Sequence, residues 1–189
     1  KHLYDVVDGE QGDDDALRPN QVFAISLPNP VLARERWAAV LDAVSRELLT
    51  PVGLRSLSRQ HPEYKANYHG DLRTRDAAYH QGTVWSWLLG PYADALVKTN
   101  GAVGKPKARK AIEGLTPHLL EAGLGTISEI FDGDAPHAPR GCPAQAWSVA
   151  EALRVFKDFT VPAKKRPYKV VTPKTKPSPR KTRSKTADM

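Results

Sequence analysis

The chain has 189 residues, 40% hydrophobic and 26% charged, which is enough apolar material for one soluble domain with its own core. It contains no run of about 18 apolar residues to span a membrane, and its single cysteine, Cys142, excludes an internal disulfide and suits a reducing, cytoplasmic setting. The net charge of +7 is not a property of the body: residues 161–189 hold ten Lys or Arg and one acid, a surplus of +9, which leaves −2 on residues 1–160.

The chain opens Lys1-His2-Leu3 with neither an initiator Met nor an apolar stretch, so no signal peptide is expected, and the start reads as the interior of a longer polypeptide. Residues 3–7 are a candidate short strand. A short helix is predicted at 19–26, with Pro19 at an early position where a missing N–H costs nothing. A second spans 31–49, where Trp37, Val40, Leu41, Val44 and Leu48 recur at helical spacing. A third covers 83–99, with Gly90-Pro91 predicted to kink or divide it. A fourth covers 106–122, bent at Pro117, with Ala108, Ala111, Ile112, Leu115 and Leu119 on one side. A fifth covers 143–159, with Trp147, Ala150, Leu153 and Phe156 facing inward. Apart from a possible strand at 168–172, no alternation or repeat is evident. The expected fold class is therefore all-α over residues 1–160, with unusually long loops between the helices. Residues 161–189 are rich in Lys, Arg, Thr and Ser, hold five prolines, and are expected to form a disordered basic tail. That tail has no aromatic residue but Tyr168 for base stacking, so nucleic acid is not expected as a partner.

Three polar segments hold residue types that can carry chemistry. The first runs from Asp5 through Asp13-Asp14-Asp15 to Arg18-Pro19-Asn20-Gln21. The second runs from Asp71 through Arg75 to Tyr79-His80-Gln81-Gly82-Thr83-Val84-Trp85. The third holds Ser128-Glu129-Ile130-Phe131-Asp132-Gly133 and continues to Gln145-Ala146-Trp147-Ser148. Aromatic faces stack on the C–H faces of a pyranose, while carboxylates, amides, Arg and His bond its hydroxyls. Plainer readings compete with each. Trp85 and Trp147 equally suit a helix core, the three consecutive aspartates a solvated loop, and His80 a structural histidine. The lone cysteine and the lack of an HExxH pattern argue against zinc. Gly101-Ala102-Val103-Gly104-Lys105 lacks the hydroxyl residue and spacing of a phosphate loop, so no metal or cofactor is expected.

Taken in order, Leu3-Tyr4-Asp5-Val6-Val7-Asp8-Gly9, Arg18-Pro19-Asn20-Gln21, Tyr79-His80-Gln81-Gly82-Thr83-Val84-Trp85, Ser128-Glu129-Ile130-Phe131-Asp132-Gly133 and Gln145-Ala146-Trp147-Ser148 resemble the C-terminal end of glycogen debranching enzymes of the amylo-α-1,6-glucosidase type. The resemblance covers residues 1–157. It implies part of an (α/α)6 toroid, glycogen or another branched α-glucan as substrate, and hydrolysis of α-1,6-linked glucose with inversion. It also assigns Glu129 as the general base. The family's general acid is an aspartate far upstream, to which no residue here corresponds, so the chain alone is expected to be inactive and to need the missing N-terminal part as a partner. His80, Gln81 and Trp85 match the sugar-facing motif. Arg75, Asn20, Gln21 and Trp147 join them as candidate substrate contacts, although Arg18, Asn20 and Gln21 equally suit a buttressing role. Ser86 departs from the family, which commonly has proline there. Two other readings stay open: another toroidal glucosidase, such as a trehalase-like enzyme, and a noncatalytic carbohydrate-binding remnant.

Overall fold

The structure, a computed structural model, describes residues 1–160. The expected disordered tail at 161–189 and the strand candidate at 168–172 lie outside the described residues. The first strand, β1 (Val6–Gly9), pairs with β2 (Gly12–Asp14) as an antiparallel hairpin overlapping the predicted 3–7 strand. A 3-10 turn at Pro19–Val22 then runs into α1 (Phe23–Ser26), with Pro19 at its start. A second 3-10 turn, Arg34–Arg36, leads into α2 (Trp37–Glu47). The predicted stripe of Trp37, Val40, Leu41, Val44 and Leu48 is buried, because residues three and four apart share a helix face. The Trp37 indole N–H donates to the Leu32 carbonyl (2.7 Å) and fixes the entry to α2.

The expectation of a purely helical body is corrected here. The chain is mostly helical, but five strands of two or three residues form an antiparallel sheet ordered β3-β4-β5-β6-β7. They are β3 (Leu49–Thr50), β4 (Gly53–Arg55), β5 (Val84–Trp85), β6 (Ile130–Phe131) and β7 (Pro139–Arg140). Strands this short cannot show a period of two, and β4, β5 and β6 come from distant parts of the chain, so local pattern carries no trace of their pairing.

The predicted 83–99 helix is likewise divided. Val84 and Trp85 are extended, a 3-10 turn covers Ser86–Leu88, and α4 (Leu89–Asn100) follows. The division falls before Gly90-Pro91, and Pro91 lies in the first turn of α4, where its missing N–H has no intrahelical partner to lose. At Ser86 the hydroxyl donates to the Val52 carbonyl (2.6 Å), a tie to the β3–β4 hairpin that proline would lack.

The short helix α3 (Leu72–Ala78) has no counterpart in the predicted elements. It buries only Ala78, so it shows no apolar stripe, and it starts on the Asp71 side chain, which accepts from the Thr74 N–H (2.8 Å). After α4, a 3-10 turn (Gly101–Val103) leads into α5 (Gly104–Glu113). A Cβ on Gly104 would lie 2.3 Å from the Leu96 carbonyl oxygen, so glycine permits the close α4–α5 corner. The fourth helix, predicted to run to 122 with a bend at Pro117, instead stops at Glu113, and Pro117 opens a separate 3-10 turn (Pro117–Leu120).

The last helix, α6 (Ala146–Thr160), packs on a different face from the predicted one. Ser148 and Val155 are buried, and Ala152 and Phe159 pack on the core. Leu153 is 65% exposed, and Trp147, Ala150 and Phe156 are exposed too. The helix carries two apolar stripes, and the one with small residues at 148 and 152 can approach α4. Arg154 secures that side by bonding Asp94 of α4 (2.9 and 3.2 Å). The core is continuous from Ile25 and Val44 through Leu54, Leu89 and Tyr92 to Ile112, Ile130 and Val155, with α4 at its centre. Each large side chain withdrawn from water there stabilises the fold by about 1.5–3 kcal/mol.

Candidate active site

The β5–β6 pairing sets the site. Trp85 faces Ile130 across the ladder, which brings Glu129, one residue before β6, beside the residues leading into β5. A second tie comes from the other side: the Glu129 N–H donates to the Cys142 carbonyl (2.9 Å). The Cys142 N–H in turn donates to Glu129 Oε2 (2.9 Å), while the Tyr79 hydroxyl donates to Oε1. Both carboxylate oxygens are thereby oriented. Gly141 leaves room for this, since a Cβ there would sit 2.5 Å from Glu129 Oε2.

Tyr79 links the carboxylate to an aromatic cluster. Its ring meets Trp85 edge-on (centroids 4.9 Å, 66°) and His80 (4.8 Å, 61°), and His80 stacks flat on Trp85 (5.3 Å, 6°). Burial, then the hydrogen bond to Glu129 and its charge, raises the Tyr79 phenol above its ordinary pKa, so it stays a donor. The His80 imidazole is pushed the other way, first by burial and then by the Arg18 charge, which favours the neutral ring.

A hollow of about 600 Å³ opens beside this cluster, and Asn20, His80, Gln81, Trp85 and Trp147 all line it. Arg18 organises its wall. Its guanidinium donates to the carbonyls of His80 (2.7 Å) and Ser56 (3.2 Å) and to Gln81 Oε1 (2.8 Å), and pairs with Asp5 (3.2 Å). Gln21 is buried away from the hollow: it accepts from the Leu3 N–H (3.1 Å) and donates to the Arg18 carbonyl (2.8 Å), a bracing position. Arg75 lies on α3 and is not part of the lining; its Nε is buried with no hydrogen-bond partner among the described residues. Glu129 is also outside the lining and reaches the cluster through Tyr79. Trp85 is buried and Trp147 is 46% exposed, which gives two tryptophans with similar sequence surroundings opposite placements.

The sequence marks Tyr79 as one of the aromatic residues of the second segment but gives no sign that it holds Glu129; Trp87 and the Cys142 N–H were not among the expected site groups. Trp87 stacks on Trp147 (5.2 Å, 22°) and lines the hollow, but its spacing reads as helix core. A backbone donor such as that of Cys142 leaves no mark on residue type. Among the described residues no group of His, Cys, Asp and Glu is arranged to hold a metal, and no helix is long and apolar enough to cross a membrane.

Comparison with known proteins places this geometry in context. A family model described as amylo-alpha-1,6-glucosidase matches residues 1–154. A glycogen debranching enzyme of Saccharomyces cerevisiae is 27% identical over 172 residues, an alignment that covers 80% of this chain and 11% of the yeast protein. The chain thus spans about a tenth of the length of that relative.

Proposed function

Because this chain belongs to the amylo-alpha-1,6-glucosidase family, we propose that residues 1–160 are the C-terminal part of an (α/α)6 glycoside hydrolase domain that removes α-1,6-linked glucose from glycogen or a similar branched glucan. Glu129 is the general base. The observation that supports this role is the double anchoring of its carboxylate by the Tyr79 hydroxyl and the Cys142 N–H. Each oxygen accepts one protein hydrogen bond and keeps a lone pair, so one of them can accept a water proton in a fixed direction.

In this reading the glucose hydroxyls lie near His80, Gln81 and Asn20 in the hollow, a C–H face meets an aromatic ring, and C1 reaches past the hollow toward Glu129, with the attacking water between them. Neutral His80 can donate with one ring nitrogen and accept with the other. The water gives a proton to Glu129 as its oxygen bonds to C1. The C1–O6 bond breaks, and the glucan oxygen takes a proton from a carboxylic acid in the remainder of the domain. An inverting pair stands about 6.5–9.5 Å apart, which leaves space for the water. Inversion of an α-linkage releases β-glucose.

The test is Glu129→Gln in the complete enzyme, since Gln keeps the shape and loses the basicity. Glucose release from a singly branched dextrin is expected to fall by about 10²–10⁴-fold, with dextrin affinity retained and β-glucose the first anomer seen by NMR in the parent enzyme. Unchanged turnover, or α-glucose as the first product, rejects the assignment.

A further inference from the structure

Trp87 and Trp147 line two hollows. One holds His80 and Gln81. The other, about 470 Å³, lies between α1, α4 and α6; Phe23, Ser26, Asp94, Glu151 and Arg154 share its lining with the apolar Leu27, Pro28 and Pro91. An unbroken row of rings joins this second hollow to the carboxylate. Phe23 stacks on Trp87 (5.9 Å, 30°) and Trp87 stacks on Trp147. Trp147 meets Trp85 edge-on (6.1 Å, 73°), and Trp85 meets Tyr79, the partner of Glu129. Core packing does not account for Trp147, the second residue of α6, with nearly half its surface open.

The polar groups of the second hollow narrow the ligand class. Arg154 is occupied by carboxylates: it bonds Asp94 (2.9 Å) and Glu151 (2.7 Å) and pairs with Asp158 (3.7 Å). Glu151 raises its pKa most, burial opposes the rise, and Asp94 adds to it. Among the described residues that line the hollow, no cation is left over for a phosphate or other anion. What remains is a set of oriented carboxylate lone pairs beside aromatic rings, which suits neutral hydroxyls on a ring with apolar faces.

We propose that this second hollow holds the α-1,4-linked glucan chain that carries the branch, while the first takes the glucose to be removed. This rests on the glycosidase reading above. A branch-point substrate has two arms, and two hollows sharing one pair of tryptophans offer each arm a place.

The test uses the 189-residue chain labelled with ¹⁵N and follows its four indole N–H signals. Maltoheptaose probes the second hollow and 1-deoxynojirimycin, a glucose-sized analogue, the first. Maltoheptaose is expected to shift the Trp87 and Trp147 signals. Glu151→Ala, which removes an acceptor, and Ser26→Arg, which fills the space, are each expected to weaken it by about tenfold or more, with the 1-deoxynojirimycin titration at Trp85 unchanged. The indole pattern of the free variants checks that they fold. Equal maltoheptaose affinity in the parent and both folded variants overturns the proposal, as does maltoheptaose binding that shifts only Trp85. If 1-deoxynojirimycin fails to bind while maltoheptaose still depends on Glu151 and Ser26, the second hollow stands and the glycosidase reading falls. If neither sugar binds, both fall.

Discussion

Tyr79 and His80 are neighbours that burial pushes in opposite directions, and each shift has a measurable consequence. Because the raised Tyr79 phenol stays protonated, it holds Glu129 without competing for the water proton. A hydrogen bond to a charged group contributes about 1.5–3 kcal/mol. Tyr79→Phe in the complete enzyme should therefore lower kcat by about 10–100-fold and leave KM little changed, since the phenol touches the base and not the sugar. An equal loss in both parameters would mark Tyr79 as a sugar contact instead. For His80 the folded pKa lies below the unfolded value of about 6.5. Between the two values the unfolded chain binds the extra proton, so this stability is present above about pH 6.5 and is lost as pH falls through the folded value. Urea midpoints should decline on that acid limb, modestly because the ring keeps solvent contact, and His80→Gln should flatten the slope.

At the scale of elements, the sheet matters more than its few residues suggest, because β5 and β6 set the distance between the aromatic cluster and the carboxylate. Gly82 guards the entry to β5. Its φ is +146°, and a Cβ there would lie 2.4 Å from the Lys65 carbonyl oxygen and 2.7 Å from the Tyr64 ring. Gly82→Ala should destabilise by about 2–3 kcal/mol, from strain and collision together. Gly101 also has a backbone that side chains rarely adopt (φ +58°, ψ −131°) but open space around it, so Gly101→Ala should cost the strain alone, about 1–3 kcal/mol. Urea unfolding of the two variants separates the contributions, and equal losses would show that the clash at Gly82 relaxes freely. The five strands were invisible in sequence because they are too short to form a pattern, and β4, β5 and β6 are held to one another by partners 29 to 47 residues apart along the chain. α2 and α5 were legible because their burial follows a local period.

For the whole molecule, the exposed face of α6 is the informative surface. Val149 and Leu153 lie on it at helical spacing, uncovered by the described residues, and the aligned relative is about nine times longer than the aligned region. If the remainder of the domain supplies both the proton donor and a cover for this face, the 189-residue chain alone should release no glucose from a branched dextrin. Adding the remainder should restore release and raise the melting temperature. Leu153→Glu should leave the melting temperature of the lone chain unchanged, because the side chain is exposed, and should weaken that rescue. Turnover by the lone chain, or rescue insensitive to Leu153→Glu, contradicts this arrangement.

The amino-acid sequence alone determined the amphipathic stripes of α2 and α5, the element that starts at Pro19, and the order of motifs that places the chain in its family. These are properties of residues close in the chain, where backbone geometry turns spacing directly into a shared face. Tertiary structure decided which stripe of α6 is buried, which tryptophan is covered, and that Tyr79 and Cys142 are the partners of Glu129. Tyr79 is 50 residues from Glu129. Such pairs exist only once the sheet has closed and the helices have packed, and no periodicity within a single segment encodes them.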